Sequence, residues 1–332
     1  MLVFIPHSYW AALLMTILTM FCWGSWTNTQ KLAKGWRFEL FYWDYMWGAL
    51  VCFTLAGLTF GRTDPASPES FFRNLASAGN HQMVYALLAG IIFNFGNLFL
   101  VAAIAIAGMA VGFPVALGVS LVVSTILNYL VSPQGNALLL FGGVLLVGMA
   151  IMLDGLAYRK ILAGTDLTAR GISFSLLSGL ALGLFYPLLA KSMKGVAPLA
   201  PYSMGFLFIL GAVISNFAMN YVFMRHPVSG SPLRMREYLA GTGREHLWGL
   251  MGGLIFGIGT VSNFVTSAVH MIGPAVSYSL GQGAPLIAAV WGVFVWREFR
   301  GAGKSTYGLI ALMFSFYLCG LISIALAPVV KP

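Results

Sequence analysis

The chain holds nine carboxylates in 332 residues, and one of them, Asp44, falls about two turns inside an apolar run that begins near residue 38. A charged Asp at the centre of a lipid-embedded helix costs on the order of 2.5–3.5 kcal/mol, so an acid placed there serves a task. Taking up and releasing a proton is the chemistry that suits it. The alternative is a structural ion pair, with Arg37 seven residues earlier on nearly the same helical face or with nearby Lys31. Glu39 is the second acid able to exchange protons, although its position beside Arg37 at the edge of the run favours an interfacial pair. Asp154 has Arg159 and Lys160 as basic neighbours, and Glu298 has Arg297 and Arg300. Both read as ion pairs that anchor or close a helix end.

A second group of residues is polar but neutral. Asn94 and Asn97 are three apart and share a helical face. Asn263, Thr266 and His270 form a stripe further along, and Tyr278 and Gln282 are four apart with Ser277 and Ser279 adjoining. Amides and hydroxyls both donate and accept hydrogen bonds, which suits a neutral polar ligand such as a sugar, an amide or a heterocycle; hydrogen bonding between helices also places them on buried faces. His270, at a helix end, reads as a surface histidine. Trp23, Trp26, Trp43 and Trp47 have the spacing of an interfacial aromatic belt, but Trp23 lies deeper and can stack on a planar ligand. Gly249, Gly253 and Gly257 recur every fourth residue, a close-packing pattern. Cys22, Cys52 and Cys319 lie inside apolar runs with no zinc or disulfide spacing, so neither a metal nor another cofactor is expected. Gly301-Ala-Gly303-Lys304-Ser305 resembles the end of a phosphate loop, but Glu298 stands where its first glycine belongs.

Composition says what holds these residues in place. Hydrophobic residues make up 59% of the chain, charged residues 8%, and mean hydropathy is +0.86. A soluble domain carries roughly a quarter charged residues, so the solvent here is lipid. The net charge of +9 sits in short gaps between apolar runs, which excludes nucleic acid as the partner and matches loops beside a bilayer. Spans of about 20 apolar residues are predicted near 8–28, 38–60, 82–106, 109–131, 137–157, 171–190, 201–223, 246–269, 273–296 and 306–328. No basic residue precedes the first run, so it reads as a retained helix. Lys31, Lys34, Arg37, Arg159, Lys160, Arg170, Arg225, Arg234, Arg236, Arg244, Arg297, Arg300 and Lys304 fall on one face, against Arg62, Arg73, Lys191, Lys194 and Lys331 on the other. The richer face is expected to be cytoplasmic, with both termini outside a cell (inner) membrane.

The chain also repeats itself. Gly90-Ile-Ile-Phe-Asn-Phe-Gly96 returns as Gly253-Leu-Ile-Phe-Gly-Ile-Gly259, and Ser67-Pro68 as Ser231-Pro232. Phe99, Gly108, Ala110, Val111, Gly118 and Leu121 return as Phe264, Gly273, Ala275, Val276, Gly283 and Leu286. The offset stays near 163–165 residues throughout. Each Ser-Pro pair reads as the start of a short interfacial helix, near 68–77 and 232–240. The expected fold is therefore all-α and integral to the membrane, ten helices in two five-helix repeats, 1–157 and 158–332. An odd number of spans inverts the second copy, the architecture by which transporters expose a midplane site alternately to each side. An open cavity between spans 1–4 and 6–9 is expected. An enzyme is not: the chain has no HExxH, no intramembrane aspartate pair and no Ser/Lys dyad.

With Trp296-Arg-Glu298-Phe299 closing the ninth span, the chain resembles the drug/metabolite transporter superfamily. More specifically, Cys22-Trp-Gly-Ser-Trp-Thr-Asn-Thr29 and Trp36-Arg-Phe-Glu-Leu-Phe-Tyr-Trp-Asp44-Tyr45 resemble the ureide permease family, related to bacterial glucose/ribose and rhamnose porters. The resemblance implies proton-coupled uptake of ureides, nucleobases or similar small polar metabolites. The sugar porters imply a monosaccharide instead, and sequence alone leaves export open. Glu39 and Asp44 fall inside the matched run. Plant ureide permeases carry a long central loop; here it runs only from Tyr158 to Arg170, as in a compact bacterial relative. The expected assignment is a proton-coupled importer, monomeric or homodimeric, with Asp44 and Glu39 for protons. Trp23, Asn94, Asn97, Asn263, Tyr278 and Gln282 are the expected ligand contacts.

Overall fold

The computed structural model describes residues 4–62, 70–107, 109–161, 169–228 and 230–330. Apolar runs become helices because lipid offers the backbone no hydrogen bonds, and an α-helix satisfies them within the segment. In chain order they are α1 (Tyr9–Ser25), α2 (Thr27–Leu32), α3 (Phe38–Thr59), α4 (Phe71–Ser77), α5 (Asn80–Ala107), α6 (Met109–Val131), α7 (Ala137–Ile161), α8 (Ala169–Ser192), α9 (Pro201–Arg225), α10 (Met235–Leu239), α11 (Gly243–Ser267), α12 (Gly273–Gly281), α13 (Ala284–Val290) and α14 (Lys304–Leu326). Caps fix several starts: Ser8 Oγ accepts from Ala11 N, and Thr242 with Glu245 forms a capping box at α11. Among the described residues, nine helical stretches are long and apolar enough to cross a membrane, α1 with α2 counting as one and α12 with α13 as another. The 22-residue α3 is not one of them, because Tyr42, Trp43, Asp44, Tyr45 and Trp47 dilute its first half. It packs against α9 and α11 all the same. Leu138, Leu145, Phe217 and Ile322 are exposed large apolar side chains, as a lipid-facing surface requires.

The ninth apolar run is broken, where one continuous span was expected. It forms α12, α13 and a π-helical turn over Trp291–Val295. Pro285 has no N–H to give the Gly281 carbonyl, so the ladder fails at Gln282-Gly283. The short connecting helices α4 and α10 are present. Yet α10 is capped by Arg234, beyond Ser231-Pro232, while Ser67-Pro68 and Gly108 lie outside the described residues.

Glycines set how closely the spans approach. A Cβ on Gly90 of α5 would collide with the backbone of Phe208 and Ala212 on α9, and one on Gly253 of α11 with that of Tyr45 and Ala49 on α3. All three positions of the second contact are offset by 163 residues from a counterpart in the first. Gly48 against Leu250 and Gly211 against Leu87 obey the same offset. Gly143 of α7 and Gly320 of α14 each face the other's carbonyl. Phe93 and Phe256, again 163 apart, stack on one another with centroids 5.5 Å apart and planes at 20°. One apolar core is built mainly from α3, α5, α8, α9 and α11, and a second from α1, α6, α7, α12, α13 and α14.

Candidate functional site

Asp44 lies on the face of α3 that meets α11, where Gly249 leaves room for it; a Cβ there would collide with the Asp44 side chain. The Tyr238 hydroxyl, on α10, donates to Asp44 Oδ1 at 2.7 Å. His246 Nδ1, in the first turn of α11, lies 2.9 Å from Oδ2 and 3.0 Å from Oδ1. Tyr238 and Trp36 both meet the His246 ring edge-on, at 4.9 Å and 5.4 Å. The Asp44 side chain is only 5% exposed but that of His246 is 25%, so the pair is buried at the acid and reached by water through the imidazole. Burial and the neighbouring Asp44 carboxylate hold the Tyr238 phenol above its ordinary range, which keeps it a donor. Asp44 thus pairs with His246 and not with Arg37 or Lys31, the partners named in the alternative reading. Arg37 instead bonds Glu39 at 2.5 Å and donates to the Ser231 carbonyl. Glu39 is thus paired with its neighbour Arg37. Sequence reasoning passed over His246 and Tyr238, although His246 stands three residues before Gly249 on the same face of α11.

The neutral residues fall into two clusters. In the first, Tyr42 donates to Asn94 Oδ1 at 3.0 Å and accepts from Asn97 Nδ2 at 2.9 Å, while Asn94 Nδ2 donates to Ser215 Oγ at 3.0 Å. These bonds join α3, α5 and α9. In the second, Tyr186 donates to Asn263 Oδ1 at 2.5 Å and Asn263 Nδ2 donates to the Ser277 carbonyl at 3.0 Å. Thr266 and Ser277 share a 2.9 Å hydroxyl bond. Tyr278 donates to the Leu182 carbonyl at 3.0 Å, so Ser120 is the donor in the 2.5 Å bond between Ser120 and Tyr278. The second cluster ties α6, α8, α11 and α12 together and links one apolar core to the other. Trp23 Nε1 donates to Thr260 Oγ1 at 2.9 Å, and its ring borders Gly281 at the end of α12. Gln282 is buried in the break between α12 and α13. His270 is exposed, as expected.

The residues expected to line an open central cavity are buried. Asn94, Asn97, Asn263 and Tyr278 are bonded to neighbours, and the Phe93–Phe256 stack packs against Phe185 and Tyr45. A cavity of about 160 Å³ opens instead at one end of the bundle, lined by Arg37, Phe38, Glu39, Leu98, Val101, Ala102, Phe223 and Val228. Asn216 of α9, one turn from Asn220, was not legible as a site residue. It is buried, and among the described residues neither its Nδ2 nor its Oδ1 has a hydrogen-bond partner. A buried amide left bare costs about 1–3 kcal/mol.

The family model described as Ureide permease matches residues 41–161 and 157–327. Ureide permease 2 of Arabidopsis thaliana is 23% identical over 382 residues, covering 93% of this chain and 94% of that protein. Ureide permease 5 of the same plant is 24% identical over 392 residues, with 94% and 92% covered. Probable ureide permease A3 of Vigna unguiculata is 23% identical over 373 residues, with 89% and 97% covered. These alignments are longer than the chain itself, so the relatives carry inserted segments that it lacks. A solved crystal structure superposes over 98% of this chain and 100% of its own with a TM-score of 0.67 at 14% identity, a likeness of fold alone. With apolar helices throughout and a family match over most of its length, this multi-pass membrane protein is a transporter belonging to the ureide permease family.

Proposed function

We propose that the chain is a proton-coupled importer of a small neutral ureide-type or nucleobase-type metabolite, working by alternating access. Its ten spans, α3 included, form two inverted halves, and on that architecture the family joins the drug/metabolite transporter superfamily. The observation that carries the reading is the reciprocity of the glycine contacts: α5 on α9 matches α11 on α3 residue for residue at one offset. Two halves that pack on each other in the same way at both ends can exchange conformations, which moves the opening from one face to the other. The buried centre is then a closed state of the cycle, with polar atoms satisfied internally until a ligand takes over their bonds. Asn94, Asn97, Asn263, Tyr278 and Gln282 supply amide and hydroxyl partners, Trp23 a flat face, and Asn216 an uncommitted amide suited to a –CO–NH– edge.

Asp44 is the proton site, and Glu39, at the end of the bundle where the cavity opens, is the second acid able to exchange protons. Unlike the glycine contacts, the Asp44–His246–Tyr238 group has no counterpart in the other half: at the 163-residue offset Asp44 corresponds to Leu207 and Gly249 to Ala86. The face richer in Lys and Arg is cytoplasmic, with both termini outside. Uptake of radiolabelled allantoin into proteoliposomes under an inward proton gradient tests the reading. Gradient-driven accumulation, competed by uracil and lost in Asp44→Asn, supports it; competition by ribose or glucose instead would move the substrate to the monosaccharides.

A further inference from the structure

Two lysines occupy the same place in the two halves. Lys31 stands seven residues before the start of α3, and Lys194 seven residues before the start of α9. Each follows a span and reaches across to the far end of another: Lys31 to Glu298 beyond the ninth span, Lys194 to the carbonyl of Val131, the last residue of α6. Because successive spans alternate direction, the two contacts lie at opposite faces of the bundle. Their chemistry differs. Lys31 makes an ion pair, and its ammonium also lies 5.2 Å over the Trp296 ring. Glu298 accepts a second bond from Tyr158 at 2.6 Å, Trp296 Nε1 donates to Asn28 at 2.6 Å, and Trp291 Nε1 donates to Ser25 at 2.9 Å. At the other face Lys194 Nζ meets a helix-end carbonyl at 2.7 Å, its own carbonyl accepts from Gln82 at 3.1 Å, and the segment that follows it bonds to Asn74 and Gly79, all without a second charged side chain among the described residues.

We propose that these are the two latches of the transport cycle, each holding one face shut, and that their inequality makes closure at the Lys31 face the resting preference. The proposal rests on the alternating-access reading above. A partly exposed ion pair alone contributes little, and the Lys31 and Glu298 side chains are 40% and 25% exposed. The asymmetry comes from the whole set: opening the Lys31 face must part opposite charges, pull a cation off a ring and strip two indole donors. Opening the Lys194 face breaks one ammonium–carbonyl bond and bonds between neutral groups, and among the described residues it parts no opposite charges.

Spin-label pairs test it in the full chain, reconstituted, with allantoin as the probe ligand. One pair replaces exposed Lys34 and Arg300 at the first face, the other exposed Val196 and Pro133 at the second. In the unliganded protein the Val196–Pro133 pair samples long distances more than the Lys34–Arg300 pair does. Glu298→Gln raises the long-distance population at Lys34–Arg300 about two- to fivefold, the effect of a partly exposed pair, and leaves the other pair unchanged; Lys194→Met does the reverse. Lys31→Met reproduces Glu298→Gln, and the charge swap of Lys31 and Glu298 restores closure, which separates latching from misfolding. Wild-type distances in Glu298→Gln and Lys31→Met, with allantoin still shifting both pairs in the parent, overturn the latches and leave alternating access standing. If neither pair ever moves, alternating access itself fails, and the latches with it.

Discussion

His246→Gln is the perturbation that reads the proton site most sharply. It removes the imidazole from Asp44, whose side chain is 5% exposed, and leaves the Tyr238 bond of 2.7 Å as its remaining support. Taking one partner from a fully buried ion pair costs about 3–5 kcal/mol. Here His246 is a quarter exposed, so water replaces part of what is lost, and the expected penalty falls to about 1–3 kcal/mol, the range of an unsatisfied buried polar group. Asp44→Asn loses the same contact from the other side. In Asp44→Asn with His246→Gln the interaction is lost only once, so the double variant is less destabilised than the two singles together, by about 1–2 kcal/mol. Thermal unfolding of the four proteins in one detergent, followed by tryptophan fluorescence, measures this coupling, and uptake in proteoliposomes measures its consequence. Both single variants lose the response of uptake to an imposed proton gradient. Penalties that add to within about 0.3–0.5 kcal/mol, or a His246→Gln transporter that follows the gradient like the parent, refute the reasoning.

Gly253→Ala and Gly90→Ala each drive a methyl into a facing backbone, and each destabilises by about 1–3 kcal/mol; similar melting shifts are expected because the two contacts are equivalent. Asn216→Leu removes an amide with no partner, so the protein melts no lower than the parent or slightly higher, while the KM for allantoin rises. Tyr278→Phe deletes the bonds to Ser120 and the Leu182 carbonyl and takes from the buried Ser120 hydroxyl its acceptor, lowering thermal stability by about 1–3 kcal/mol. Tyr238→Phe leaves the His246 contact in place, so uptake stays gradient-dependent but slower.

Helix positions were legible because lipid imposes a length on each apolar run, and the ends of α3, α6 and α9 fall within two residues of expectation. The break in the ninth span was written in Gln282-Gly-Ala-Pro285, but a window that averages hydropathy does not register one missing donor. The repeat offset of Gly90 and Gly253 was visible, while its meaning, reciprocal contact with Phe208 and Tyr45, required the fold. Asp44 stood out through its cost in lipid. Its partners did not, since Tyr238 and His246 lie in and beside a connecting segment where polar residues are unremarkable, and only tertiary packing brings them to α3. Asn216 escaped for a similar reason: an amide on a long apolar helix signals a buried bond, and only the packed structure reveals that the bond is not made.

A cysteine at Ser120, beside Tyr278 in the closed centre, tests the account most directly once Cys22, Cys52 and Cys319 are replaced by serine. In right-side-out and in inverted vesicles a membrane-impermeant thiol reagent should modify it during allantoin turnover, because each face opens in its turn. Modification from one side only, or from neither while uptake proceeds, contradicts two inverted halves alternating around a shared polar centre.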